Sequence, residues 1–313
     1  MKGDNMSYLY YKAINWDEIE DNVDKYTWEQ LTTNFWLDIR VPVTNDQPNW
    51  AQLPTAAQQQ IGQQLAASSL LAVFQSEVGT PALRHDKRTQ QEEAVLNTIT
   101  FMKSVHAKSC TTIFRALVPG KSQTFFDWAD ADPQLQAEIE QLTAVCQSGT
   151  PLQKKALFML TETALSFGKY ATVLQQTTLP NTNQMLHNIL QGSAIFCAYL
   201  GYKFQLGFNE LAPSAQADLT AWITQQFNRL VNLEADYLSA TCEDAEAALN
   251  LCRYGVNQTL AALGLSASYS VTPAPFVTKL AHIAIDQDQF RQQVTAANHP
   301  ADLEVMTDDD YDF

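Results

Sequence analysis

The sequence predicts an all-α protein: one helical bundle with extra helices and a flexible C-terminal tail. Three observations carry this prediction. Long segments space their apolar residues at helical intervals, and capping signals bracket several of them. There is almost no period-2 alternation. No glycine-rich phosphate loop interrupts the chain.

The N-terminal portion carries Ile14-Asn15-Trp16, then NFWLDIRVP over 34–42, then Asn45-Asp46 and Trp50. Pro42, Pro48 and Pro54 forbid one continuous helix, so this portion reads as short helices and loops laid across a bundle. Residues 59–75 form a helix whose stripe, Ile61, Leu65, Ser68 and Ala72, is narrow and small. VGTPAL, over 78–83, then breaks the chain.

The helix over 91–117 is the one around which the rest is organised. Leu96, Ile99, Ile113 and Leu117 form one apolar stripe, Thr89 with Glu92 makes a capping box, and Pro119-Gly120 ends the helix. Lys103, His106 and Cys110 follow at i, i+3 and i+7 inside that stripe, where aliphatic residues belong. A lone histidine there is ordinarily a hydrogen-bonded core residue. A buried lysine is different, because its ammonium demands a partner. Lys103-x-x-His106 also has the spacing of the inward Glu-x-x-His pairs that hold metals in dinuclear four-helix bundles, with an ammonium replacing the carboxylate.

Asp132-Pro133 caps a helix reaching about Cys146, and Thr150-Pro151 repeats that start for a helix to about Gln176. The segment 183–207 presents Ile189, Ser193, Phe196 and Leu200 on one stripe. Helices over roughly 214–240 and 243–264 follow. The remainder holds Pro273 and Pro275 and ends in MTDDDYDF.

Composition excludes several classes. A net charge of −15 disfavours nucleic acid and anionic membrane as partners. No apolar run reaches the roughly 18 residues of a membrane span, and no signal-peptide layout is present, so a cytoplasmic location is expected. Cys110, Cys146, Cys197, Cys242 and Cys252 are scattered, which reads as reduced thiols.

The chain resembles the class Ib ribonucleotide reductase small (β) subunit over nearly its whole length. The resemblance rests on Ile14-Asn15-Trp16, NFWL with Val41-Pro42, Asn45-Asp46 with Trp50, and VGTPAL. It continues through EEAVLNTITFM with VHAKS, GYKFQLG over 201–207, and the acidic-aromatic terminus. It implies a ferritin-like domain over 1–290 and a docking tail for the large subunit over 291–313. It also implies a dimer, either of two copies or with a metal-competent β subunit. The family uses a di-iron or di-manganese centre to generate a radical for deoxyribonucleotide synthesis.

Carried over position by position, the resemblance departs from the family pattern. The family's metal-ligand positions fall on Ala72, Lys103, His106, Thr161, Ser193 and Phe196, and only His106 matches the ligand expected there. The radical tyrosine falls on Cys110. The tyrosine that relays the radical near the terminus falls near Asn298-His299, while the relay tryptophan is retained as Trp36. Two divalent cations need several anionic oxygen ligands, which Ala, Thr, Ser and Phe do not supply. No metal and no cofactor is therefore expected.

Three function classes follow. The first is a pseudo-subunit that docks on the large subunit through Asp308, Asp309, Asp310, Tyr311 and Phe313. The second is a metal-independent radical generator in which Lys103 stands in for metal charge. The third, a helical binding protein outside nucleotide reduction, leaves that tail without a purpose. With a regular helix through Thr161, Lys103 should bond to Thr161, Ser193 or buried water, and Lys103→Met should be neutral or mildly stabilising. A one-residue bulge would instead turn Glu162 inward.

Overall fold

The computed structural model describes residues 13–85 and 88–271. Helix α1 (Asn22–Thr33) starts where the Asp21 side chain accepts a hydrogen bond from the Val23 backbone N–H. Short 3₁₀ turns at Asp38–Arg40 and Val43–Asp46 and a single turn at Gln47–Trp50 follow, as the three prolines require. Helix α2 (Thr55–Phe74) does not stop at VGTPAL. It passes through a π-helical turn, Gln75–Gly79, into Thr80–Ala82 and a 3₁₀ turn at Leu83–His85. The expected break at 78 is corrected: Thr80 Oγ1 donates to the Gln75 carbonyl at 2.8 Å, so the wide turn stays hydrogen-bonded and the chain remains helical.

Helix α3 (Gln90–Leu117) is capped by Thr89, whose side chain accepts from the Glu92 backbone N–H. Only this half of the expected capping box is formed by the helix start itself. The Glu92 carboxylate lies 3.7 Å from Lys203 instead. Helix α4 (Ser122–Ala131), absent from the sequence-based expectation, covers the α2–α3 pair, and its Phe125 stacks on Phe114. Asp132 caps α5 (Pro133–Ser148) as expected. Thr150 and Gln153 form a complete capping box on α6 (Pro151–Leu160).

Helix α6 runs through a second π-helical turn, Thr161–Leu165, into α7 (Ser166–Gln175). Three long helices complete the bundle: α8 (Pro180–Asn209), α9 (Pro213–Thr241) and α10 (Ala245–Ala262). Every residue from Lys154 to Leu165 is buried, so this segment is wrapped on all sides. Residues of α5, α8, α9 and α10 pack against it. Among the described residues there is no strand, and no helix is long and apolar enough to cross a membrane. The expected docking residues 308–311 and 313, and the relay position at 298–299, lie outside the described residues.

Candidate functional site

The inward stripe of α3 places Lys103 and His106 in the bundle interior, 3% and 2% exposed. The partner of Lys103 is set by the π turn. One residue inserted into the i→i+4 ladder swings Glu162 through the angle that a regular helix would have denied it. Its carboxylate, 2% exposed, forms a direct ion pair with the Lys103 ammonium. Ser193 Oγ donates to Glu162 at 2.6 Å, and Gln75 Nε2, three residues after Ala72 on the same face of α2, donates at 3.2 Å. Lys103 Nζ also reaches Ser193 Oγ at 3.5 Å.

The regular-helix expectation is therefore corrected. Thr161 does not meet Lys103; its hydroxyl donates back to the Leu157 carbonyl at 3.0 Å. Glu162, next to it in sequence, occupies the inward place. Lys103→Met is no longer expected to be neutral, because it would strand a buried carboxylate. Burial pulls the Lys103 pKa down, and the Glu162 charge opposes that pull.

Two features hold the wide turn in place. Ser166 Oγ donates to the Thr161 carbonyl at 2.8 Å, using an acceptor that the widened ladder frees. Gly255 of α10 lies against the turn so closely that a Cβ there would sit 2.7 Å from Ala164 Cα. Thr163 Oγ1 adds a bond to the Gly255 carbonyl at 3.3 Å.

His106 is sandwiched between two rings. Trp36 stacks on one side with centroids 6.0 Å apart and Phe196 on the other at 6.3 Å. Lys103 Nζ lies 5.1 Å from the Phe196 centroid, a cation–π contact. Burial, together with the nearby Lys103 charge, holds the His106 pKa well below its usual value, which keeps the imidazole neutral. His106 Nε2 and Trp36 Nε1 are buried without a hydrogen-bond partner.

Cys110 is 1% exposed, and burial pushes its thiol pKa up to about 12, so it is a small apolar core residue rather than a nucleophile. The Tyr170 phenol on α7 is buried with Cys110 and Ser68 bearing on it, and burial raises its pKa well above the usual value. Ala72 is buried in α2 and offers no donor atom. Ser193 and Phe196 face the same interior as Lys103, and so do Gln75 and Glu162, the latter on the π turn.

The donor set does not suit a pair of divalent cations. It offers one carboxylate, already engaged by three donors, and one imidazole. The space next to that carboxylate holds an ammonium, which repels a cation. Among the described residues, no group of three or more His, Cys, Asp or Glu side chains is arranged to hold a metal ion. The arrangement is instead a closed, charge-balanced polar cluster inside an apolar bundle.

Comparisons with known proteins agree with this architecture. A family model described as "Ribonucleotide reductase, small chain" matches residues 13–275. The ribonucleoside-diphosphate reductase subunit beta nrdF2 of Mycobacterium tuberculosis is 30% identical over 313 residues, 96% of each chain. The ribonucleoside-diphosphate reductase 2 subunit beta of Escherichia coli is 30% identical over 259 residues, 80% of this chain and 81% of that one. The crystal structure of dimanganese(II)-NrdF from Streptococcus sanguinis superposes with a TM-score of 0.82 at 37% identity, covering 88% of this chain and 100% of that one.

Proposed function

Because the chain belongs to the ribonucleotide reductase small-chain family, we propose that it is a β-subunit homologue working without a dinuclear metal centre, as a pseudo-subunit. It would dock on a class Ib large subunit, as a homodimer or paired with a metal-competent β subunit, and tune assembly or activity. One observation carries this reading: the buried Lys103–Glu162 pair fills the bundle interior where the family pattern calls for metal ligands. The Streptococcus sanguinis relative is, by its description, a dimanganese protein. By the resemblance, the family's ligand positions fall here on Ala72, Lys103, Thr161, Ser193 and Phe196, with only His106 kept. A lysine–glutamate pair supplies internally the charge balance that metals and carboxylates would otherwise provide.

A second reading draws on the same pair. A metal-independent radical generator would also place a lysine beside a remaining carboxylate, and the Tyr170 phenol is buried near Cys110. The pseudo-subunit reading is preferred because, by the resemblance, the radical position falls on Cys110, whose buried thiol holds its proton tightly.

Pairing has a surface on which to occur. Phe35 and Phe101 stack in the open at 5.9 Å while remaining 40% and 50% exposed, and Ile39 and Val73 are also uncovered. A stacked pair of exposed aromatic rings suits a second β-type chain.

Docking rests on the tail. Asp308, Asp309 and Asp310 supply a charged approach, and Tyr311 and Phe313 supply apolar anchors. A peptide of residues 306–313 is expected to compete with the full chain for a class Ib large subunit in a binding titration. Phe313→Ala should weaken binding by about 1–3 kcal/mol. Unchanged affinity after removal of 306–313 would show that the tail does not dock.

A further inference from the structure

A second buried charge cluster lies outside the Lys103 site, among α5, α7 and α9. Lys169 of α7, 0% exposed, bonds to Glu138 of α5 at 3.0 and 3.3 Å and to Glu234 of α9 at 2.5 Å. Glu138 and Glu234 are 1% and 0% exposed. The Tyr237 ring covers the ammonium at 4.9 Å, and Trp128 of α4 tilts against Tyr237. Gly168 makes the room: a Cβ there would lie 2.4 Å from Glu234 Oε1, so only glycine admits the carboxylate.

The two clusters differ in charge. Lys103 faces one carboxylate and is balanced. Lys169 faces two, and among the described residues no other cation closes the balance. The remaining groups near the cluster are Tyr237 on α9, Cys242 just after it, and Cys252 with the more distant Arg253 on α10. An uncompensated charge in a fully buried place is too unfavourable to persist, and a proton is the smallest group that removes it. The geometry agrees. Glu234 Oε1 receives no donor, and Glu138 and Glu234 converge on the same Lys169 ammonium from two helices. Two carboxylates are both acceptors, so they can bond to each other only if one carries a hydrogen.

We propose that Glu138, Lys169 and Glu234 form a proton-binding site, in which the folded protein holds a single proton between the two carboxyl groups and so ties the packing of α5, α7 and α9 to pH.

The direction follows from linkage. Burial, and after it the Glu138 charge against the opposing pull of Lys169, raises Glu234 from the usual 4.5 to about 8. Below the unfolded value both states hold the proton, and the stabilisation is complete. Between that value and the folded one, only the folded state holds it, so stability falls as pH rises. The loss is complete once pH passes the folded value.

Urea unfolding of the full chain, measured across this interval, tests the site together with infrared spectroscopy. In wild type the cluster should raise the unfolding constant about tenfold per pH unit, relative to Glu234→Gln, in which this slope is absent. Lys169→Met should steepen the slope, because two carboxyls then need protons; a lysine that merely fills space would leave it unchanged. Wild type at pH 6 should show a protonated-carboxyl stretch that Glu234→Gln lacks. Equal slopes in wild type and Glu234→Gln would overturn the proposal. So would the absence of that stretch in wild type, a readout that holds even if the variant fails to fold.

Discussion

Lys103→Met is expected to lower the unfolding free energy by about 3–5 kcal/mol, the effect of removing one partner from a buried ion pair. The methionine itself would fit, since its length and volume are close to those of the lysine stem. The loss comes from Glu162, which stays buried with donors from Ser193 and Gln75 but no counter-charge. The double variant Lys103→Met with Glu162→Leu should recover most of that stability, because both charges then leave together and well-packed apolar side chains replace them. Chemical denaturation of the wild type, both single variants and the double variant gives the coupling energy directly. A Lys103→Met protein as stable as wild type would mean that the pair does not organise this interior.

Gly255→Ala is expected to remove about 3 kcal/mol, at the upper end of overpacking effects. The added methyl would meet Ala164 Cα at 2.7 Å, Ala164 N at 2.9 Å and the Thr163 carbonyl carbon at 3.0 Å. All three are backbone atoms of the π turn, so no flexible side chain can swing aside. Relief requires α10 to retreat or the turn to tighten, and tightening would rotate Glu162 away from Lys103. Thermal or urea unfolding measures the loss, and unchanged stability would show that Gly255 does not hold the turn.

Much of this was legible in the residues. The stripe of α3 located Lys103, His106 and Cys110 in the interior, and the caps at Thr89, Asp132 and Thr150 marked real helix starts. The π turns were not legible, because one extra residue in a hydrogen-bond ladder leaves no mark in composition or capping. Glu162 was therefore legible only as the carboxylate that a bulge would turn inward, its signal a glutamate in the largely apolar run FMLTETAL that needed a partner. Lys169 carried a similar signal as a lysine inside SFGKYATVL. Its partners Glu138 and Glu234 lie on two other helices, and no local spacing connects them to it.

Metal loading tests the bundle interior around Lys103 most directly. Purified protein is incubated anaerobically with Fe(II) or Mn(II), exposed to air or superoxide, and examined by elemental analysis and electron paramagnetic resonance. The Lys103–Glu162 interior predicts no stoichiometric metal pair and no radical signal. Two metals per chain would contradict the metal-free account outright, and a radical without metal would move the chain to the metal-independent generator.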